Sequence, residues 1–233
     1  MNASRTARDH ARVEMIRSIK EAARQQLAEK GAADLSVRSV ARELGLVSSA
    51  LYRYFPSRDD LLTALIIDAY DAMGDAAEEA AATGGTPRMK WSAACHAVRR
   101  WAKANPNEYA LIYGSPIPGY VAPPDTVAAA IRVPLLLIAQ LNAAFDAGTL
   151  KPDIQGPLLP PGLLEQLTAA ALQVAPDLSL PLLNRGLVVW TQLFGMLSFE
   201  LFGQLVGSVD PADEFFAHTI GQMADFLGLV DPS

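Results

Sequence analysis

Side chains that can bond to nucleic acid are concentrated between Ser36 and Arg58. Arginine guanidinium groups and tyrosine hydroxyls donate hydrogen bonds to phosphate oxygens and base edges, whereas serine and alanine let a helix approach the bases closely. The types and spacing of these residues predict a surface that contacts a double-stranded DNA operator. The candidate contact residues are Ser36, Arg38, Ser48, Ser49, Ala50, Tyr52, Arg53, Tyr54 and Arg58.

Two short helices joined by a tight turn must position these side chains. Ser36 can cap the first helix, and Gly45 can end it in a left-handed conformation. Leu46, Leu51 and Phe55 can then pack the second helix against the first, with the candidate contact residues outside. This is the pattern of a helix-turn-helix. Apolar residues at i, i+3, i+4 and i+7 define the first helix, namely Val37, Val40, Ala41 and Leu44.

A third helix is predicted directly after this motif. Pro56 stops the short second helix, and Ser57 can cap the next one, whose first turn contains two aspartates that favour the helix dipole. Arg58 lies at the same helix start, beside the expected phosphate backbone. The apolar pattern then continues as one long helix from Leu61 to Ala82.

The stretch resembles the DNA-binding domain of the TetR family of bacterial transcriptional regulators. This resemblance implies that Tyr52 contacts phosphate and that Tyr54 contacts a base or phosphate. It implies that Ser48, Ser49 and Ala50 read base edges. The residues that carry it are the run from Val37 to Ala41, Gly45, the segment Leu51-Tyr52-Arg53-Tyr54-Phe55, Arg58 and Leu61-Leu62.

The resemblance also implies a phosphate contact for Arg58, at a position where the family more often has lysine. Arginine keeps the positive charge but presents a bulkier, forked donor group. For Tyr52 and Tyr54 the alternative is that both rings only close the small three-helix core, although Leu51 and Phe55 already supply a packing face.

The charge is distributed unevenly along the chain. The protein has 233 residues, of which 51% are hydrophobic, and a net charge of −6. Residues 1–60 contain 11 Lys/Arg and 8 Asp/Glu, a balance of +3, so the rest of the chain carries −9. This distribution argues against a protein that simply coats nucleic acid. It fits a DNA-reading head attached to a body with another task.

The sequence gives no sign of export or membrane insertion. Cys95 is the only cysteine, so an intrachain disulfide is impossible. The polar N-terminus lacks the apolar segment of a secretory signal. The longest apolar stretch, from Leu187 to Val206, is interrupted by Glu200, which favours a buried helix over a membrane span. We therefore expect a cytoplasmic protein.

Hydrophobic periodicity predicts an all-α fold, with a helix-turn-helix domain over residues 1–62 and a helical domain over residues 63–233. A polar arm with Arg5 and Arg8 comes first and either reaches a minor groove or is frayed. The loop from Gly114 to Pro124 is a candidate pocket lid, and Pro134 should kink the helix predicted over residues 125–147. The first helix has an apolar stripe of Val13, Ile16, Ile19, Ala23 and Leu27.

The resemblance implies that the second domain is a helical bundle that holds a small-molecule pocket and forms a homodimer through its last two long helices. These are predicted to run from Ser179 to Gly207 and from Ala212 to Leu227. Gly195, Gly203 and Gly207 each cost about 1 kcal/mol in a helix relative to alanine. Another backbone that approaches closely, from a two-fold partner or from the same subunit, would compensate for this cost.

Aromatic residues before and within the Pro/Gly-rich loop, with others later in the chain, predict an apolar pocket with a few polar groups. Each of them also suits an ordinary core. Glu200 is either a buried carboxylate or a surface or interface residue. The effector is expected to be largely apolar. The candidate ligand-binding residues are Trp101, Tyr109, Tyr113, Tyr120, Phe145, Trp190 and Phe194.

The sequence shows no usable arrangement of catalytic or metal-binding residues. His10, His96 and His218 lack metal-ligand spacing, and Cys95 and His96 point about 100° apart on a helix. Nucleotide-binding and hydrolase motifs are absent from the sequence. We therefore expect no enzyme activity, cofactor or metal, and predict a ligand-responsive repressor that a small molecule releases from its operator. A helical adaptor and an activator are the alternatives.

Overall fold

A computed structural model describes residues 2–151 and 157–231, with side chains from residue 8 onward. In this part of the chain the regular elements are helices, apart from an isolated β-bridge between Leu150 and Leu229. Two 3-10 turns cover Ala32–Asp34 and Pro124–Thr126. The α-helices are α1 (Asn2–Lys30), α2 (Val37–Glu43), α3 (Ser48–Leu51), α4 (Arg58–Ala81), α5 (Pro87–Ala104), α6 (Pro106–Tyr113), α7 (Val127–Ala130), α8 (Arg132–Asp146), α9 (Pro161–Val174), α10 (Leu180–Leu201) and α11 (Asp213–Phe226). The predicted all-α fold is confirmed.

The chain divides into two compact units. The head unit consists of Met1–Tyr70 and Asn105–Ala129, and the body unit consists of Asp71–Ala104 and Ala130–Ser233. The head unit therefore includes α6 and the Pro/Gly-rich loop as well as the helix-turn-helix. The functional division predicted near residue 62 stays a prediction.

The core of the head unit is built from the apolar faces of α1, α2, α3 and the first turns of α4. Leu51 and Leu61 are fully buried, as is Ile19 of α1. Val13 was expected on the same stripe as Ile19, but it is 62% exposed because the packed part of α1 begins about a turn later. Partly buried side chains that pack against this core include Leu44, Leu46, Leu111, Ile117 and Tyr120.

The body unit packs α5 against α8, α10 and α11. Trp91, Cys95 and Val98 of α5 are buried together with Leu193 of α10 and Phe216 of α11. Arg132 at the start of α8 binds three carboxylates of the second half of α4, at N–O distances of 2.9 Å to Asp71, 2.5 Å to Asp75 and 2.8 Å to Glu78. The helices of this unit are therefore joined by apolar packing and by ion pairs.

Three predicted elements differ from those observed. The helix expected to reach Gly207 ends at Leu201, and both Gly203 (φ +81°) and Gly207 (φ +80°) lie in turns, where glycine is favoured. The helix expected to kink at Pro134 is broken earlier, at Ile131, since proline cannot donate to the carbonyl one turn before it. The N-terminal arm is helical from Asn2, while the side chain of Arg5 lies outside the described residues.

Within residues 2–151 and 157–231, no individual helix has both the length and the apolar character needed to cross a membrane. One bent pair, formed by Pro124–Ala130 and Arg132–Asp146, reaches these limits only when its two helices are counted together.

Candidate nucleic-acid interface

The start of α2 is fixed by a side-chain cap, as predicted. The hydroxyl of Ser36 accepts a hydrogen bond from the backbone N–H of Ser39 at 3.4 Å, and the N–H of Ser36 donates to the Gln26 side chain at 3.4 Å. Gly45 has a φ of +67°, the left-handed conformation expected after the last turn of α2. Arg38 and Arg42 are both exposed on this short helix.

The second helix of the motif exposes small and polar side chains on one side and packs its apolar side chains into the core. Leu51 is fully buried and Phe55 is 7% exposed, so the predicted packing face is confirmed. Ser49 and Arg53 are exposed and Tyr52 is 41% exposed, whereas Ser48 and Ala50 are half-buried. Regular α-helix ends at Leu51, and Tyr52 begins the turn that leads to Phe55.

Tyr54 does not point freely outward as expected. It is half-buried and packs against the core of the head unit. The guanidinium of Arg12, on α1, lies 5.3 Å from the centre of its ring. This distance is within the range of a cation–π interaction. Arg12 was missed from the sequence because the contact joins residues 42 positions apart.

Arg58 makes different contacts from the phosphate contact that the resemblance implies. Its Nη2 donates to the carbonyl oxygens of Ala32 at 2.8 Å and Ala33 at 3.0 Å, and its Nε donates to that of Leu35 at 3.1 Å. Its Nη1 lies 3.5 Å from the carboxylate of Asp59. The guanidinium is therefore directed at the 3-10 turn between α1 and α2.

The predicted ligand-binding residues fall into two groups. In the head unit, the rings of Tyr109 and Tyr113 stack with centres 5.3 Å apart, and Tyr70, which was missed, meets Tyr113 edge-on at 6.0 Å. Burial, and then the neighbouring Tyr70 and Tyr109, raise the pKa of Tyr113 above its usual value. Tyr120 instead packs on the head core, and its hydroxyl is 2.9 Å from that of Thr63.

The Pro/Gly-rich loop, predicted as a pocket lid, lines a cavity of about 380 Å³ within the head unit. The end of α1, the first 3-10 turn and α6 form the other walls. None of the predicted aromatic residues lines this cavity. The positions of the predicted aromatic residues therefore do not support the prediction that this loop is a pocket lid.

In the body unit, Trp190 and Phe194 form an edge-to-face pair with ring centres 6.4 Å apart. The indole Nε1 of Trp190 is buried and has no hydrogen-bond partner among the described residues. Phe145 is 52% exposed, and its role in ligand binding stays a prediction. Trp101 is half-buried on α5.

Both α10 and α11 carry large apolar side chains that are exposed in the described part of the chain. A Cβ atom added to Gly195, on the exposed side of α10, would meet nothing within 4 Å. The close approach expected at this glycine is therefore not made by any described residue of the same chain. The exposed large apolar residues of these helices are Leu187 (41%), Val188 (49%), Phe199 (56%), Phe215 (37%) and Phe226 (42%).

Glu200 is a largely buried carboxylate, as in the first of the possibilities that the sequence left open, and its side chain is 12% exposed. Arg99 donates to both of its oxygens, at 2.6 and 2.7 Å, and Lys103 lies 3.2 Å away. Arg99 also binds Asp213 at 2.8 Å, so it joins α5 to both α10 and α11. The hydrogen bonds from Arg99 hold the pKa of Glu200 below its usual value despite burial.

Cys95 is buried and His96 is half-buried on α5. Cys95 is fully buried, which raises the pKa of its thiol. Burial, followed by the charges of Arg100 and Arg99, lowers the pKa of His96, whose ring meets Phe216 edge-on at 5.2 Å. Over residues 2–151 and 157–231, His, Cys, Asp and Glu side chains form no group of three or more that could hold a metal ion.

Two stretches of the sequence match descriptions of TetR-type regulators. Residues 19–65 match the family described as bacterial regulatory proteins, tetR family, and residues 91–223 match the family described as tetracyclin repressor-like, C-terminal domain. HTH-type transcriptional regulator Rv1816 of Mycobacterium tuberculosis is 38% identical over 223 residues, which cover 91% of this chain and 92% of that protein. Mb1846 of Mycobacterium bovis, which bears the same description, matches to the same extent.

Solved structures give the same result. The crystal structure of SCO4313 is 31% identical, with a TM-score of 0.76, and the match covers 93% of this chain and 98% of that chain. The TetR family regulator PfmR of Thermus thermophilus is 20% identical with a TM-score of 0.55, covering 88% and 96% of the two chains, which shows a shared fold. The chain thus belongs to the TetR family of bacterial transcriptional regulators, which bind DNA.

Proposed function

We propose that the protein is a cytoplasmic repressor that binds its operator as a homodimer and is released by a largely apolar small molecule. The observation that carries the proposal is the surface formed by Arg38, Ser49, Tyr52 and Arg53, which is exposed above the buried Leu51 and Phe55. A polar, cationic surface that is supported by a packed apolar core suits insertion into a DNA groove.

The proposed contacts divide into positioning and reading contacts. Arg38, Tyr52 and Arg53 bond to phosphates, and Ser36 lies at the N-terminus of α2, where an anion is favoured. Ser48, Ser49 and Ala50 lie at the start of the second helix, where small side chains allow contact with base edges. Tyr54 contacts DNA from the edge of this surface, with Arg12 beside its ring. Arg58 is excluded from this set because its guanidinium binds backbone carbonyl groups.

The proposed dimer forms through α10 and α11, within the ranges predicted from Ser179 to Gly207 and from Ala212 to Leu227. Dimerisation is typical of the family. The uncovered apolar side chains and the open space beside Gly195 support this assignment, since a glycine on a helix surface permits a partner helix to approach closely. Two heads related by a two-fold axis would then read two half-sites about one helical turn, or a multiple of it, apart.

The proposed effector is largely apolar and carries a hydrogen-bond acceptor. Trp190 and Phe194 supply aromatic walls, and the Trp190 Nε1, which has no partner among the described residues, supplies a donor. Leaving such a donor buried and unpaired costs about 1–3 kcal/mol, so an acceptor brought by a ligand gains that amount. The effector releases DNA only in so far as it prefers the DNA-free arrangement of the dimer.

The test of DNA binding uses the region upstream of the protein's own gene and fluorescence anisotropy at low salt. Arg53→Ala should weaken binding at least tenfold, because a phosphate contact is lost from each head. Arg100→Ala, which removes an exposed arginine from α5 of the body unit, is the matched control and should bind as the unmodified protein does. Failure of the unmodified protein to bind any genomic fragment would overturn the proposal.

The test of ligand response uses a panel of small aromatic compounds, with and without an acceptor group, added to the protein–operator complex. At least one acceptor-bearing compound should release the DNA, and Trp190→Phe, which removes the donor but keeps an aromatic ring, should reduce that response. Transcription from the bound promoter in the presence and absence of the protein separates a repressor from an activator.

A further inference from the structure

We propose that Arg58 is a positioning residue, which sets the orientation of the helix-turn-helix on the head unit and does not itself contact DNA phosphate. The guanidinium joins the first turn of α4 to the carbonyl groups of Ala32, Ala33 and Leu35. This role concerns how the head presents its DNA-binding surface, and it goes beyond the proposed response to a ligand.

The contacts of Arg58 involve all three nitrogens of its forked guanidinium group. Three N–H···O distances between 2.8 and 3.1 Å involve Nε and Nη2, and Nη1 faces the Asp59 carboxylate at 3.5 Å. Hydrogen bonds from a charged donor are stronger than those between neutral groups. Lysine has a single nitrogen on a flexible stem and cannot reach three carbonyl groups in this way. The contact is therefore specific to arginine at this position.

The carbonyl groups that Arg58 binds lie immediately before the helix-turn-helix. Leu35 is 3% exposed in the head core, and the next residue, Ser36, caps α2. Gln26 accepts the N–H of Ser36 at 3.4 Å, so the same short segment is held from two sides. Because α2 leads through Gly45 directly into α3, fixing residues 32–35 fixes the direction in which Tyr52 and Arg53 are presented.

The attachment also links the motif to α4. Arg58 is the first residue of α4, and Leu61 and Leu62, close behind it, are fully buried in the head core. A shift of this helix end would therefore be transmitted to the entrance of α2 through the guanidinium. A residue that only touched phosphate would have no such effect on its own protein.

The experiment compares Arg58→Lys and Arg58→Gln in the full-length protein with the control Arg24→Lys. Arg24 has a similarly exposed side chain (30% against 29%) in the same unit, but it binds Asp68 and not the segment before α2. Each protein is titrated against an operator duplex that the unmodified protein has selected from random DNA, and against a scrambled duplex of equal length. The titrations are repeated over a salt series, and amide hydrogen exchange is measured on the free proteins.

A positioning role predicts that Arg58→Lys lowers operator affinity about tenfold, or about 1.4 kcal/mol. Affinity for the scrambled duplex and the salt dependence should stay unchanged, since non-specific binding depends on charge and lysine preserves it. Amide exchange should accelerate in residues 35–40 and not throughout the head. The Arg24→Lys control should change none of these quantities.

Three results would overturn the proposal. Full operator affinity in Arg58→Lys, with Arg58→Gln weakened on both duplexes and its salt dependence reduced, would identify a phosphate contact. Faster exchange across the entire head in both Arg58 variants would identify a general structural role. Failure to select any operator would remove the DNA-binding function that Arg58 is proposed to position.

Discussion

At the scale of single residues, each unit contains an arginine whose side chain binds several partners. In the head, Arg58 binds three backbone carbonyl groups, and in the body, Arg99 binds two carboxylates while its guanidinium lies 4.9 Å from the centre of the Phe216 ring. Arg99 is only 8% exposed and needs these partners, because an unpaired buried charge is strongly unfavourable. Substitution of Arg99 should therefore destabilise the body unit.

Glu200→Gln should lower the free energy of unfolding by about 3 kcal/mol at neutral pH, because it leaves the buried Arg99 with only one carboxylate. The folded-state pKa of Glu200 is lowered, so its contribution is present above the unfolded pKa of about 4.3 and is lost as the pH falls through the folded-state pKa. The difference between the variant and the unmodified protein should therefore shrink on acidification. Urea unfolding at a fixed protein concentration and a series of pH values measures it.

Asp213→Asn is the control for this substitution. Asp213 binds the same guanidinium, but its side chain is 63% exposed, so its replacement should cost clearly less than that of Glu200. A difference for Glu200→Gln that stays constant from neutral pH to strongly acidic pH would show that the charge of Glu200 does not stabilise the fold.

Cys95 should not react with a thiol reagent in the native protein. It is fully buried and its pKa is raised by burial, so the nucleophilic thiolate is scarce and the sulfur is inaccessible. In denaturant the single thiol should react at the rate of a free cysteine. Rapid native-state labelling followed with a chromogenic disulfide reagent would contradict this prediction and make a thiol-sensing role plausible.

At the scale of elements, the glycines of the C-terminal region separate into two kinds. Gly203 and Gly207 have positive φ values and end or follow a helix, whereas Gly195 lies inside α10 with open space beside it. A positive φ explains a glycine by backbone conformation alone. Gly195 has no such explanation among the described residues, and this is consistent with the proposed contact to a partner helix.

Gly195→Ala should have opposite effects on the helix and on the dimer. Alanine stabilises a helix by about 1 kcal/mol relative to glycine. If a partner backbone packs at this position, the added methyl group would cost about 1–3 kcal/mol at the interface. The dimer dissociation constant should therefore rise about tenfold or more, as measured by sedimentation over a range of concentrations.

Gly162→Ala serves as the matched control. This residue lies in the first turn of α9, and its added Cβ would also meet nothing within 4 Å. Its substitution should leave dimerisation unchanged. Equal dissociation constants for Gly195→Ala and the unmodified protein would show that α10 does not meet a partner backbone at this glycine.

Local signals in the sequence were sufficient for the limits of α4 and α11, to within about three residues, and for the core of the helix-turn-helix. The Ser36 cap, the left-handed Gly45 and the burial of Leu51 each depend on residues a few positions apart, so spacing predicts them. The contacts of Arg58 with backbone carbonyl groups and of Arg12 with Tyr54 could not be predicted in this way, because these partners lie 23 or more positions away. The packing of Tyr120 on the head core was missed for the same reason.

At the scale of the whole molecule, the charge of the head and the two-fold symmetry of the proposed dimer together determine how operator binding depends on salt. Residues 1–60 carry +3 and the remainder carries −9, so attraction to DNA has to come from the head. A two-fold dimer presents two such heads, and every substitution is made twice. The salt dependence of operator binding can therefore count how many heads are engaged.

Arg38→Ala provides this count, because Arg38 is exposed on α2 and is proposed to contact a phosphate. Each lost phosphate contact makes the slope of log K against log salt concentration less negative by about 0.9. A dimer with both heads bound should therefore show a change of about 1.8, whereas a single bound head should show about 0.9. Anisotropy titrations on the selected operator measure the slopes, and Arg100→Ala, with the same loss of charge on the body unit, should leave the slope unchanged. A change near 0.9 would contradict binding by a two-fold dimer, and no change would remove Arg38 from the contact surface.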